Sequence, residues 1–465
     1  MRALAQLVSA RFKRVRSSLG RARTLGFRSW IAGFALVQAL LASPARAADG
    51  DNLATPTSDR APARDLLRNE AKLIAWLGRH SPELAAARAR VAQSSADLAT
   101  TRLFPNPVFD GSLSDVPIGE TNPPGLGFGE VAIYTFGLSE TFELGKRGPR
   151  SEAAGLREQS ARLQADAALG ERLAAARSAI GLAVHLGSRL VILDESLQAA
   201  ENGAQLERTR LEQKALSGMD YDRLLLDLAS LRSEFARSQA DYASALETCR
   251  AVLGGECDMS GANDEDLAAA VPVSLPASND ARLLERPDLR ALDFDRQAAE
   301  RDAALARAKA LPDLTVRVGY THDLFLRSGD NANTLAFSVQ MPLPIFDRGQ
   351  HDAEKNLSHA EELSQSKISL LRSSKADLAG LLSRKIVLEK NLEALQHDTL
   401  PRSRSVLESA QQAFDIGGTS LTDLLLARRN HIGLELTLLE QDFELFGVRN
   451  EIHHLLALDA AAKDN

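Results

Sequence analysis

From about Asp65 onward, Leu and Ala recur at three- and four-residue steps along most of the chain, and twice that rhythm gives way to strict alternation. The clearest alternating stretch, "YTFGLSETFEL", places Tyr134, Phe136, Leu138, Phe142 and Leu144 on one side and Thr135, Gly137, Ser139, Thr141 and Glu143 on the other. "VFDGSLSD" alternates Phe109 and Leu113 with Asp110, Ser112 and Ser114, so the two stretches predict a β-hairpin over 106–144. The loop between them carries Gly125, Gly127 and Gly129, which neither open a helix nor lead to a Lys followed by Ser or Thr. That argues for a flexible loop over a phosphate loop. Further on, "LTVRVGYTHD" sets Val316, Val318, Tyr320 and His322 against Thr315, Arg317, Gly319, Thr321 and Asp323. "LAFSVQMPLP" sets Leu335, Phe337, Val339 and Met341 against Ala336, Ser338 and Gln340, which predicts a second hairpin over 312–344.

Between and around the hairpins the chain reads as helix. Residues 148–215 hold one Pro, at their very start, and predict a helix on the order of 100 Å long. Leu186, Leu190, Leu193, Leu197, Ala200 and Ala204 give it a coiled-coil seam. After a turn at "LSGMD" a helix over 219–253 returns about half that distance, and the helical segment before Pro105 supplies the other half. The second half echoes the first: "ERPDLRALDFDRQAAERDAALARAKALPDL" follows "HSPELAAARARVAQSSADLATTRLFPNP" by roughly 200 residues, and "DIGGTSLTDLLLARRN" follows "ALSGMDYDRLLLDLASL" by about as many. An internal duplication accounts for both. The expected organisation is a first repeat over 65–260, a connecting segment over 261–285, a second repeat over 286–457 with its long helix over 346–415 and return helix over 420–457, and a tail over 458–465.

The N-terminus adds a compartment. Arg11, Lys13, Arg14, Arg16, Arg21, Arg23 and Arg28 precede the apolar run "WIAGFALVQALLA" and the small-residue segment "SPARAADG", the order of a secretory signal over 1–47 cut after Ala47. The run is only about 13 residues, short of the roughly 20 that span a bilayer, and no later stretch reads as a membrane helix. Residues 48–64 are polar and Pro-containing and predict a flexible linker. Composition narrows the partners. With 44% hydrophobic but only 5% aromatic residues, the chain suits close-packed helices, and a net charge of −7 leaves no basic stripe for nucleic acid.

Each strand is near the 9 to 11 residues that cross a bilayer at a tilt, with one apolar and one polar or small side. Four strands cannot close a barrel, and an edge left open in lipid strands a row of N–H and C=O groups. Closure takes at least about eight strands, so two or three copies would have to pool theirs. A soluble periplasmic coiled-coil scaffold with ordinary hairpins is the alternative of another class.

That organisation, with "LFPNP", "ETFELGKRGPR", "LPIFDRGQ" and the paired turns "LSGMDYDRLLLDL" and "IGGTSLTDLLLAR", resembles the TolC family of outer-membrane efflux ducts over nearly all of the chain after the signal. "FELGKRGPR" and "LPIFDRGQ" look most like the branch that exports heavy-metal cations, although one Gly precedes Lys146 where that branch often has two. The resemblance implies a mainly α fold with a β-barrel part. A homotrimer would build a 12-stranded barrel in outer-membrane lipid and a coiled-coil helical barrel in the periplasm. It would dock on a periplasmic membrane-fusion adaptor and an inner-membrane, proton-driven RND-type pump. Drug export and type I protein secretion are the rival substrates within the class.

The resemblance implies a conduit with no enzymatic chemistry, and the residues agree. The nine His are scattered, His453 and His454 point to different faces of a helix, and His351 and His359 share a face without a Cys or carboxylate set at ligand spacing. No metal ligand, cofactor or catalytic residue is assigned. Cys249 and Cys257, the two cysteines, bracket "RAVLGGE" in an oxidising compartment and predict a disulfide. In the family the second turn motif, Gly417 and Gly418, lies at the periplasmic entrance with an acidic residue six positions after its Gly, here Asp423. Three copies would form a carboxylate ring. In the first motif, at Gly218, the matching position is Arg223, expected to pair with Asp423 or Asp222 and hold the entrance shut. The competing reading of Asp423 is a helix cap, since Ser420 and Asp423 have capping-box-like spacing.

Overall fold

The structure, a computed structural model, describes residues 59–121, 124–271, 279–325 and 331–458. The expected signal segment, the linker as far as residue 58 and the tail from 459 lie outside the described residues. The first described element is strand β1 (Arg60–Pro62), followed by helices α1 (Ala63–Arg68), α2 (Glu70–His80) and α3 (Pro82–Thr101). Next come β2 (Val108–Ser114), one helical turn α4 (Phe128–Val131), β3 (Ile133–Phe142), the 66-residue α5 (Arg147–Glu212) and the returning α6 (Gly218–Leu253). A connection holding β4 (Glu256–Asp258), α7 (Asp264–Ala270) and α8 (Asn279–Leu284) leads to α9 (Pro287–Ala308), β5 (Leu314–Asp323) and β6 (Asn333–Gln340). Helices α10 (Gln350–Ala394), α11 (Leu400–Asp415) and α12 (Leu421–Leu455) complete it. The order helix, strand pair, long helix, return helix occurs twice.

Local chemistry sets these boundaries. Ser81 caps α3 by accepting the Leu84 amide at 3.3 Å, and Pro82 sits at the first helical position, where no partner for its nitrogen is needed. Helix α6 stops at Gly254, which adopts φ 69°; a Cβ there would stand 2.8 Å from the His80 carbonyl oxygen, so Gly both ends the helix and lets it pass α2. Between α10 and α11 the chain widens into a π turn at Leu395–Thr399, immediately before Pro401. Proline cannot donate to the helical ladder and crowds the preceding turn, and the wide turn accommodates both defects while the backbone stays helical into α11.

Helix α5 is about 100 Å long and packs along its length against α3, α6, α9 and α12. Its seam residues Leu193, Ala200 and Ala204 are buried and Leu186, Leu190 and Leu197 half-buried, because small Ala side chains let the helix axes approach closely. One apolar stretch of α5 is long enough by length and composition alone to cross a membrane, which corrects the expectation from sequence; half of it is buried against neighbouring helices, as in a core helix. Two further clusters pack along the bundle. Leu283, Leu378, Leu392, Leu445 and Ile452 pack together near the connection, and Ala200, Ala204, Leu224, Leu228, Leu421 and Leu424 pack beneath the two helix turns.

The linker expectation fails at its C-terminal end. Arg60–Pro62 pairs in parallel with Glu256–Asp258, and α1 begins at Ala63. Two features invisible as periodicity order it. Asp266, fully buried, takes ion pairs from Arg64 at 3.3 Å and from Arg68, and accepts the Asn263 amide at 2.9 Å. Leu66, Leu67, Leu73, Trp76 and Leu77 bury against Leu173, Ile180 and Leu253, with Trp76 Nε1 donating to the Leu253 carbonyl at 2.9 Å. The expected flexible loop also contains the helical turn α4, whose start is held by the Glu130 carboxylate accepting the Gly127 amide at 2.8 Å.

Cys249 and Cys257 are joined in a disulfide, with Cα atoms 6.0 Å apart, on the side of this cluster where α6 gives way to β4. Labelling of denatured, unreduced protein with a maleimide is expected to find no free thiol in the exported chain; two thiols per chain would contradict the bond. Nearby, burial pushes the Asp264 carboxyl up to about 6, with the Asp442 carboxylate adding to the rise and a hydrogen bond from Ser188 opposing it. A carboxyl whose folded pKa lies above its ordinary 3.8 stabilises the fold below that value and loses the contribution as pH rises through 6. Wild-type melting temperature is therefore expected to carry a decline between pH 4 and 6 that Asp264→Asn lacks, measured by circular dichroism across that range. Parallel pH profiles for the two proteins would contradict the assignment.

Candidate functional site

The four long strands form one antiparallel sheet in the order β2, β3, β5, β6, so the two hairpins join through β3 and β5. Register partners share a face, and the register sorts most side chains by polarity, with Glu140, His322 and Asn333 the polar members of the apolar face. One face carries the row Phe109, Leu138, Val318, Phe337, the neighbouring Phe136, Tyr320 and Leu335, and farther along Phe142 and Val339. Apart from the half-buried Phe136, these side chains are exposed: Phe337 is 77% and Phe109 70% accessible in the single chain. An exposed apolar face of this extent marks an interaction surface. The other face carries Ser112, Thr135, Thr321 and Thr334 in one row and Thr141, Thr315 and Gln340 in another. Thr141 and Thr315 hydroxyls bond across the strands at 2.9 Å. The ladder gives β2 and β6 a partner on one side only, which leaves two open edges.

At the far end of the helices the two turn motifs are built alike, but not in the register expected from sequence. Ser420 caps α12, accepting the Asp423 amide at 3.2 Å and donating to Asp423 Oδ2 at 2.6 Å; Thr419 donates to the same oxygen at 3.1 Å. These two hydroxyls hold the exposed Asp423 carboxyl below the usual carboxylate range. In the first motif Ser217 accepts the Asp220 amide at 3.1 Å and donates to its carboxylate at 2.7 Å. The structural counterpart of Asp423 is therefore Asp220, because α6 begins three residues earlier in its motif than α12 does in its own. The shared Ser-x-x-Asp spacing at 217–220 and 420–423 carried that signal. Arg223 pairs with neither Asp423 nor Asp222. It lies 3.3 Å from Asp220 and donates to the Thr422 hydroxyl at 3.3 Å, tying the start of one return helix to the start of the other. Asp222 is exposed, Gly417 takes φ 77°, and Gly418 returns its amide to the Ala413 carbonyl at 2.7 Å, closing the end of α11.

The histidines disperse. His351 and His359 face Glu354 and Glu362 on the exposed side of α10, His453 lies 3.4 Å from the buried Arg177 guanidinium, and His454 lines a separate hollow beside Gly170. Among the described residues no three His, Cys, Asp or Glu side chains converge as a metal site. The arrangement offers two surfaces, a two-faced sheet and a polar helix tip.

Comparison with known proteins agrees with this description. Residues 280–441 match the model of the family described as "Outer membrane efflux protein". The chain is 24% identical over 245 residues to the cobalt-zinc-cadmium resistance protein CzcC of Cupriavidus metallidurans, covering 52% of this chain and 57% of that one. It is 25% identical over 224 residues to the cation efflux system protein CusC of Escherichia coli K12, covering 46% and 48%. The chain thus spans about half the length of the curated relatives it matches. Among solved structures, CusC superposes with a TM-score of 0.71 at 20% identity over 87% of this chain and 97% of that chain, and the channel OprN with 0.70 at 20% over 87% and 95%. The mostly helical fold of this chain is therefore shared with the CusC and OprN structures. Residues 280–441 thus resemble the outer membrane efflux protein family.

The capping geometry has a measurable consequence. Ser420→Ala and Ser217→Ala each remove a cap hydroxyl and are expected to cost about 1 kcal/mol of local helix stability. Hydrogen exchange at residues 421–424 and 218–221 reads this as several-fold faster opening. Unchanged exchange at the Asp423 and Asp220 amides would contradict the caps.

Proposed function

We propose that the chain is the outer-membrane conduit of a tripartite efflux system, a passive exit duct for heavy-metal cations. The observation that supports it most is the sheet: one apolar face, one polar face and two open edges. In a bilayer those edges require partners, and pooling strands from three copies into a 12-stranded barrel supplies them, with apolar rows toward lipid and threonine and serine rows toward the lumen. The helices then continue the duct on the periplasmic side for about 100 Å, long enough to meet a membrane-fusion adaptor and an RND-type pump. Metal as cargo rests on the named functions of CzcC and CusC, and in such an assembly the pump sets the substrate. The chain contributes a path and no chemistry. Asp423 and Asp220, three of each in a trimer, would put carboxylates at the entrance while they hold the capping hydroxyls of Ser420 and Ser217, so supporting a cap and gating are compatible uses of one residue.

Cross-linking of outer membranes is expected to give bands that stop at three subunits, and extraction is expected to need detergent. Release by osmotic shock would favour the soluble scaffold instead. A deletion strain is expected to be sensitive to divalent metals and not to antibiotics; the reverse pattern would favour drug export. In planar bilayers Asp423→Ala is expected to weaken block by multivalent cations from the periplasmic side. Arg223→Ala, which unties the two helix starts, is expected to raise conductance. Unchanged block and conductance in both would leave Asp423 as support for the Ser420 cap and Arg223 as a structural tie between the helix starts.

A further inference from the structure

Two strand glycines face each other on the polar side of the sheet. Gly137 of β3 and Gly319 of β5 are register partners, and their row continues to Asp110 on β2 and Ala336 on β6. Arg317 stands two residues from Gly319 on the same face. Instead of rising from the sheet, its side chain lies across both glycines to the far strand. There Nε and Nη2 donate to Asp110 Oδ1 and Oδ2 at 3.0 and 2.5 Å, a bidentate fork. A Cβ on Gly137 would fall on the guanidinium, 2.6 Å from Cζ and Nε, and one on Gly319 would come within 3.0 Å of Nη1. Glycine inside a strand weakens it unless another group must approach the backbone closely, and here that group is the guanidinium. The pair is not a buried staple. Its side chains are 32% and 43% accessible, an exposure at which an ion pair adds little stability.

We propose that the Asp110–Arg317 pair, seated over Gly137 and Gly319, determines the charge preference of the barrel wall toward permeating ions. The proposal rests on the conduit reading above, in which this face lines the lumen. Held flat in the glycine trough, the guanidinium neutralises the carboxylate and stays in the wall rather than in the path. A trimer then carries three such pairs at one level of the barrel with no net charge. Loss of either partner leaves three like charges there, acting on ions at a range set by the Debye length, about 30 Å at 0.01 M salt and 3 Å at 1 M.

Reversal potentials of the full-length protein in planar bilayers under a potassium chloride gradient test this. Asp110→Asn is expected to shift the potential toward anion preference and Arg317→Gln toward cation preference, with the shifts cancelling in the double variant and vanishing near 1 M salt. Asp110→Ser and Arg317→Thr provide a second pair if an isosteric variant does not assemble. Conducting wild-type channels with the same reversal potential in both single variants at low salt would overturn the proposal and leave the conduit reading standing. Failure of both variant pairs to form trimers would overturn it in favour of an assembly role. An absence of wild-type currents would remove the conduit reading and the proposal with it.

Discussion

The open edges of β2 and β6 are the constraint to which the rest of the structure answers. A sheet of four antiparallel strands satisfies its inner backbone groups and leaves a row of donors and acceptors on each side. Where water is absent those rows cannot stay unpaired. The exposed Phe109, Phe337 and Leu335 form an apolar surface that the single chain leaves uncovered. Neither problem can be solved within one chain, because the hairpins are already used against each other through β3 and β5. On the conduit reading, oligomerisation is therefore part of folding and not an addition to it.

The helices follow from the strands they carry. Each hairpin delivers the chain into a helix of the same reach, α5 on one side and α10 with α11 on the other. Long helices need long seams, and an Ala-rich seam permits close packing at little side-chain entropy. Where Pro401 interrupts the ladder, the structure changes the hydrogen-bond pattern and stays helical, as the π turn ahead of it does.

Strand alternation and helical seams were legible in the sequence because each is a repeating local rule. Tyr134, Phe136 and Leu138, or Leu193, Ala200 and Ala204, declare their faces through spacing alone. The order of residues 60–64 was not legible, because it depends on Asp266 and Glu256, some 200 residues away and without periodicity. The partner of Arg223 was misjudged for a related reason. Aligning the two turns by their glycines shifts them three positions from the alignment their caps obey, and Ser217 and Ser420, which start the helices, were the better markers.

The Asp110 and Arg317 fork illustrates the remaining gap. In the sequence Asp110, Gly137, Arg317 and Gly319 each look like ordinary polar-face residues of separate strands. Only the register, with Gly137 opposite both Asp110 and Gly319, turns them into one feature. A guanidinium that must cross a whole strand to reach its partner needs the side chain in between to be missing, and that need is invisible until the strands are ordered. Glycine in a strand is therefore informative twice: alone it marks a weak point, and in register with another it marks the course of a longer side chain.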